Sequence, residues 1–311
     1  MQTSMKIVPT TKISQEQWLE ERRKGIGGSD APVVAGVSPY KSRLQLYMEK
    51  IGEVPIENIE NRFTEWGKRL EPIIADAFKE KTGLKIQRVN FILAHKEYPF
   101  MIANIDRKIV GVPEGLEIKT TSAWNVGRFR DDIPDDYYIQ CLHYLAVTGW
   151  DKWHLAVLIG GNDFRHFVIE RDEEAINNLI EIEKDFWLNH VEKRIIPEPD
   201  HRDSKILASL YPESDANKIV EFENEEHAKS LVEEYFEYAE LEKHYKAKKE
   251  EIANKIKALM GEAEIGIVNE YKIIWRTITQ SRFDTKTFQK EHPEIYSKYL
   301  KQTTYRRFLI K

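Results

Sequence analysis

Apolar residues along this chain keep two rhythms, and the switches between them divide it into elements. Over residues 63–82, Phe63, Trp66, Leu70, Ile73, Ile74, Ala77 and Phe78 fall three and four apart, the spacing of one helix face. Residues 14–24 form a shorter helix in which Ser14 caps the start and Gln17, three residues on, completes a capping box. A glycine-rich turn, Gly25-Ile26-Gly27-Gly28-Ser29-Asp30-Ala31, leads into a short apolar helix that Ser38-Pro39-Tyr40 breaks, and residues 42–51 form another. Residues 85–95 and 98–110 read as two strands, followed by turn chemistry at Gly111–Gly115 and a strand from Leu116 to Thr121. A helix over 135–148, a hairpin of 153–159 and 164–170 around Gly160-Gly161-Asn162-Asp163, and a helix over 172–194 follow.

Pro197-Glu198-Pro199-Asp200 is the best boundary, giving a domain of residues 1–200 and an extension of residues 201–311. The extension holds a long charged helix over about 222–260, striped by Leu231, Tyr235, Tyr238, Leu241, Tyr245, Ile252, Ile256 and Leu259. A hairpin over about 263–279, turning at Asn269-Glu270, and a short amphipathic ending at Tyr305-Arg306-Arg307-Phe308 complete it. The class expected is α+β: a mixed central sheet flanked by helices, with a mainly helical C-terminal appendage.

Composition narrows the setting. With 41% hydrophobic and 32% charged residues, the 311-residue chain suits a soluble protein with a sizeable core. No run approaches the roughly 20 apolar residues of a membrane span, and the segment from Met1 to Lys6 lacks the apolar centre of a secretory leader. A single cysteine, Cys141, excludes an internal disulfide framework and a cysteine zinc site, so a reducing cytoplasm is expected. The net charge of −5 argues against a generic nucleic-acid binder. Its distribution is uneven: residues 221–240 carry eight acidic side chains against one lysine, and residues 272–311 carry ten Lys/Arg against three Asp/Glu. These are either solvated faces or, for the basic end, a DNA-facing tail.

The candidate chemistry lies in the strands. Alternation puts Glu117 and Lys119 on one face, about 6.5 Å apart, and a hairpin-like return brings Asp106 beside them. Two carboxylates and a lysine can hold a divalent cation and activate water for phosphodiester cleavage. Asp106 and Glu117 would be the ligands, with the backbone carbonyl of Ile118 a further one; hard oxygen donors suit Mg²⁺ or Mn²⁺. Lys119 would position the attacking water or stabilise charge on the phosphate. The spacing alone also fits a surface strand with a salt bridge. Glu71, in Trp66-Gly67-Lys68-Arg69-Leu70-Glu71, is either a third carboxylate, acting through water or on a second ion, or a helix-surface glutamate. Tyr137, Gln140 and Tyr144 share a helix face, which is either a buried face with one polar residue or a site face on which Gln140 holds the lysine or a phosphate and Tyr144 packs against them; His143, one residue off that stripe, reads as structural. The Gly25–Ser29 turn is either structural or an anion site, with Gly28 allowing close approach, Ser29 donating, and Arg22 and Lys24 supplying charge. It is not a Walker loop, because no Gly-Lys-Ser/Thr follows.

Taken in order, the Gly25–Ala31 run, Trp66-Gly67 with Glu71, Asp106 with Glu117-x-Lys119, Gln140 with His143-Tyr144, and Leu158-Ile159-Gly160-Gly161-Asn162-Asp163-Phe164 resemble the YqaJ-type viral recombinase nucleases. These are relatives of phage lambda exonuclease within the PD-(D/E)XK superfamily, and the resemblance covers roughly residues 12–200. It implies a restriction-endonuclease-like α/β core and one or two Mg²⁺ ions (Mn²⁺ as the alternative) held by Asp106 and Glu117, with Glu71 assisting. Lys119 is then the catalytic lysine, Gln140 an active-site support, and Arg22 and Ser29 the place where a 5′-phosphate is held. The activity implied is ATP-independent 5′→3′ digestion of one strand of duplex DNA in the cytoplasm of a bacterial host, encoded by phage or prophage. A RecT- or Bet-like single-strand annealing protein would receive the product, and the family's ring-shaped trimers imply a homo-oligomer. Arg22, Lys24, Arg128, Arg130 and the basic tail are candidates for lining a channel. Arg107 departs from the glycine that many relatives carry after the aspartate, a change that bears on the turn rather than on ligation. An endonuclease or a nuclease of other polarity on the same core, and a non-catalytic DNA-end-binding protein, are the alternative readings.

Overall fold

The computed structural model describes residues 4–56, 62–130, 132–222 and 224–310, without the side chains of Lys12 and Phe63. Met1–Thr3 of the leader reading, Phe63 of the helix stripe, and Glu223 and Lys311 of the charged segments therefore lie outside the described residues or side chains. The chain divides into two compact units, Met1–Leu207 and Ala208–Lys311.

The first unit opens with β1 (Ser4–Pro9), a strand that the hydrophobic pattern does not announce. In α1 (Gln15–Arg23) the Ser14–Gln17 capping box forms as expected, each side chain meeting the other residue's backbone N–H. Then come α2 (Ala31–Val34), α3 (Arg43–Ile51) and α4 (Arg62–Thr82).

The two strands expected over 85–95 and 98–110 are four: β2 (Ile86–Arg88), β3 (Phe91–His95), β4 (Ile102–Asn104) and β5 (Arg107–Ile109). The breaks are changes of partner. β3 and β4 join β1 in a three-stranded sheet, whereas β2 and β5 join a five-stranded one with β6 (Glu114–Thr121), β7 (Lys152–Ile159) and β8 (Asp163–Glu170). Alternation of apolar residues runs through such a switch without marking it.

In the order β2-β5-β6-β7-β8 only β6 and β7 are parallel. Parallel neighbours need a crossover, and α5 (Asp135–Thr148) supplies it. The indole of Trp153 lies over Gly115, its β7 partner position, so closely that a Cβ there would sit 2.4 Å from the ring. The two faces of β6 are covered differently. Leu116 and Ile118 pack with Ile74, Ala75 and Phe78 of α4. The other side of the sheet is closed by α5 and α6 (Glu173–Lys184), with Leu142, Leu145 and Leu179 packed against Leu155 and Val157 of β7. The helix expected over 172–194 runs on from α6 as a π-helical stretch, Asp185–Glu192, that buries Phe186 and Trp187. α7 (Ser204–Leu210) follows.

The second unit is built on α8 (Glu225–Met260), 36 residues or about 54 Å of helix. An antiparallel hairpin, β9 (Ile265–Val268) and β10 (Tyr271–Ile274), turns at Asn269, whose φ of 49° an asparagine tolerates. The short helices α9 (Thr285–Glu291) and α10 (Pro293–Lys298) were not expected from the pattern. The amphipathic ending at 305–308 is not regular structure, although the Phe308 ring meets Tyr235 edge-on at 6.0 Å. Among the described residues no helix is long and apolar enough to cross a membrane.

Candidate active site

The chain reverses between β5 and β6, and this return joins the acidic residues. Asp106 ends the link from β4 and turns its side chain across to β6, where Oδ2 accepts the backbone N–H of Ile118 at 3.0 Å. Ile118 buries its side chain toward α4, so Glu117 and Lys119 project from the opposite face, toward α5. There Lys119 Nζ is 2.7 Å from Glu117 Oε1. The same oxygen accepts from Gln140 Nε2 at 2.9 Å, and Gln140 Nε2 also lies 2.9 Å from the Tyr144 hydroxyl. Lys119 Nζ stands 5.5 Å from the centre of the Tyr137 ring. Tyr137 and Gln140 thus meet the Glu-x-Lys pair directly, and Tyr144 stands behind Gln140.

Electrostatics in this group is unbalanced. Burial, and then the neighbouring charge of Glu117, raise the Asp106 carboxyl to about 8. Burial by itself would lower the Lys119 ammonium, but the charge and hydrogen bond of Glu117, with Asp106 behind it, outweigh burial and raise it. Glu117 Oε2 is buried and meets no donor among the described residues. A divalent cation fits these residues: it would take the unpartnered oxygen and neutralise the paired carboxylates. Asp106, Glu117 and the Ile118 carbonyl would supply oxygen donors to it, with water completing the shell. Among the described residues no group of three or more His, Cys, Asp or Glu side chains is placed to hold a metal.

Glu71 stands apart from that pair. Its Oε1 is 2.7 Å from Arg107 Nη1, and that nitrogen also donates to the Asp106 carbonyl at 2.7 Å. Register explains the contact: Arg107 pairs with Leu116, whose side chain faces α4, the helix that carries Glu71. Glu71 therefore reaches Asp106 through Arg107, and its carboxylate is committed to that guanidinium. His143 sits between Glu183 and the Ile102 carbonyl, at 2.8 and 2.9 Å, fully buried and outside the carboxylate group.

The glycine turn forms a second cluster. Arg22 Nη2 is 2.9 Å from Ser29 Oγ and 3.2 Å from Asp30 Oδ1, while Asp30 Oδ2 accepts from Lys50 Nζ at 2.7 Å and the Gly27 N–H at 3.0 Å. Burial would raise the Asp30 carboxyl, but the Lys50 and Arg22 charges hold it well below the usual range. Gly28 packs on Tyr144, where a Cβ would come within 2.4 Å of the ring. Lys24 is not part of this cluster; it is exposed and paired with Glu21 at 2.6 Å. A cavity of about 130 Å³ joins Arg22, Gly28 and Ser29 to Gln140 and Tyr144. A larger cleft, about 690 Å³, opens beside it, with Arg22, Ser29, Tyr40, Lys41 and Lys68 in its wall. Two members of this cluster were missed in the sequence, Asp30 and Lys50. A lysine directly before Ile51 in an otherwise apolar helix face was the available signal.

The comparisons agree on family and fold. A family model described as the YqaJ-like viral recombinase domain matches residues 17–151. The protein YqaJ of Bacillus subtilis (strain 168) is 36% identical over 310 residues, 98% of this chain and 97% of that one. Among solved structures, the alkaline exonuclease LHK-Exo from Laribacter hongkongensis is similar with a TM-score of 0.51 and 20% identity, over 63% of this chain and 100% of that one. LHK-Exo in complex with dAMP gives a TM-score of 0.51 over 64% and 98%. At that identity the likeness concerns the fold, a mixed sheet flanked by helices. With 98% of its length aligned to YqaJ, the chain belongs to the YqaJ-like viral recombinase family.

Proposed function

We propose that the protein is a divalent-metal-dependent, ATP-independent nuclease that digests duplex DNA from 5′ ends and leaves 3′ single strands for an annealing protein. The observation that carries the reading is the buried, unpartnered Glu117 Oε2 beside Asp106. Mg²⁺ bound by Asp106, Glu117 and the Ile118 carbonyl would supply Lewis acidity at the scissile phosphate and a lowered pKa for attacking water. Lys119, held as an ammonium by Glu117, stabilises negative charge developing on the phosphate. Gln140 fixes the Glu117 carboxylate, and Arg107 fixes the Asp106 backbone.

Polarity rests on the second cluster. Arg22 and Ser29 line a cavity that also reaches Gln140, so a terminal 5′-phosphate held there is tethered beside the carboxylates. LHK-Exo was solved with dAMP, and deoxynucleoside monophosphates are the products expected of this chain. A homo-oligomer, by resemblance a trimeric ring, and a cytoplasmic setting belong to the same proposal.

Digestion of linear duplex labelled at either end, with Mg²⁺ or EDTA, tests it. Expected are loss of 5′ label in Mg²⁺ only, faster on 5′-phosphate than on 5′-hydroxyl, and loss of that preference in Arg22→Ala. Release of 3′ label alone would refute the polarity. Cleavage of circular duplex would favour the endonuclease reading, and binding without cleavage the non-catalytic one.

A further inference from the structure

Along α8 the residues Leu231, Tyr238, Tyr245, Ile252 and Leu259 recur at every seventh position, and their exposures are 51, 62, 67, 57 and 87%. A seven-residue repeat drifts only about 20° per two turns, so all five lie along one stripe of the helix. Tyr235 and Leu241, 49 and 40% exposed, widen the stripe on its flanks. Helices with such a seam bury it against another helix.

Charge identifies the partner. Residues 225–242 of α8 carry seven glutamates and one lysine, whereas residues 243–260 carry six lysines and two glutamates. The two halves are thus opposite in sign, and the helix complements a copy of itself laid head to tail. Centred on Tyr245, an antiparallel pair sets Leu231 against Leu259 and Tyr238 against Ile252. The same register sets Glu233 against Lys257 and Glu242 against Lys248. A parallel pair would lay glutamate on glutamate and lysine on lysine along its whole length, which is destabilising.

We propose that α8 is a self-association helix whose occupant is α8 of a second copy of this chain, running antiparallel. The contact is twofold, so it doubles whatever assembly the first unit forms. It is independent of the nuclease reading.

Light-scattering mass of the full chain, wild type against Tyr245→Glu, is the first test. Tyr245 meets its own copy at the centre of the pair, so the variant sets two carboxylates together; a twofold fall in mass is expected, with unchanged helical circular dichroism because the position is exposed. Disulfide trapping gives the direction. Leu231→Cys and Leu259→Cys are prepared separately and mixed under oxidation, the native Cys141 being buried. A disulfide-linked dimer formed only in the mixture is expected. An unchanged mass in Tyr245→Glu overturns the proposal and assigns the stripe to another chain, such as an annealing protein. Efficient linkage of Leu231→Cys alone overturns it in favour of a parallel pair.

Discussion

Arg107 holds Glu71. A single guanidinium nitrogen, Nη1, lies 2.7 Å from the Glu71 carboxylate and 2.7 Å from the carbonyl oxygen of Asp106, and the arginine is 7% exposed. Groups that orient a metal-binding carboxylate typically change metal affinity or activity by about 10–100-fold when removed. Arg107→Ala is therefore expected to raise the Mg²⁺ concentration needed for half-maximal nuclease activity by about 10-fold or more, with Arg107→Lys intermediate. Calorimetric titration of Mg²⁺ into the DNA-free protein gives a second readout. Equal Mg²⁺ affinity in Arg107→Ala and wild type would separate the ion pair from the metal site.

Lys119 and Gln140 converge on one oxygen of Glu117, but they serve different steps. Lys119→Met removes the charge placed for the phosphate, and cleavage is expected to fall by about 100–1,000-fold while affinity for duplex ends in Ca²⁺ changes little. Gln140→Ala leaves that charge in place and frees the Glu117 side chain, so a smaller loss of rate is expected, accompanied by weaker Mg²⁺ binding. Single-turnover rates and fluorescence-anisotropy binding separate the two. An equal loss of DNA affinity in Lys119→Met would place the lysine in end binding rather than in cleavage.

The Glu-x-Lys pair was legible because strand alternation is a local rule: once residues 116–121 are a strand, Glu117 and Lys119 share a face. α4 and α5 were legible as helices, but the stripe read along α4 was only partly its packed face: Ile74 and Phe78 are buried with Ala75, whereas Trp66 and Ile73 are 57 and 60% exposed. Partner switching was not legible. The runs 85–95 and 98–110 look continuous, yet each is divided between two sheets, because what divides them is the choice of neighbour and not a change in composition. Asp30 and Lys50 stand twenty residues apart and meet only after α3 has docked on the glycine turn. Glu71 was visible as a carboxylate near the site, but its partner depended on the register of β5 against β6.

Gly28 links the two clusters through packing. A methyl group there would stand 2.4 Å from a Tyr144 ring carbon, and Tyr144 is 4% exposed with its hydroxyl bonded to Gln140. Overpacking of this kind costs about 1–3 kcal/mol. Gly28→Ala is expected to lose that much in urea unfolding, and most of the loss should vanish when the same change is made in Tyr144→Ala. Additive losses in the double variant would mean that the clash lies elsewhere.

Asp30 makes the stability of the glycine turn depend on pH. Its folded carboxyl titrates well below the unfolded value of about 3.9, because Lys50 and Arg22 outweigh the burial that would raise it. Such a group stabilises the fold above the unfolded value, and its contribution is lost as pH falls toward the folded one. Removing one member of a buried pair strands the other, at a cost of about 3–5 kcal/mol. Asp30→Asn is expected to unfold at lower urea than wild type at pH 7, by roughly that free energy, and the gap should narrow below about pH 4, where Asp30 of the unfolded wild-type chain takes up a proton while the folded carboxylate stays ionised. Replacing Lys50 as well, in Asp30→Asn/Lys50→Met, removes the stranded ammonium and should recover part of the loss. Urea midpoints at pH 7, 5 and 3.5 for the three proteins test this. A gap that stayed constant across the range would mean that the carboxylate's charge is not what holds Lys50 and Arg22 in place.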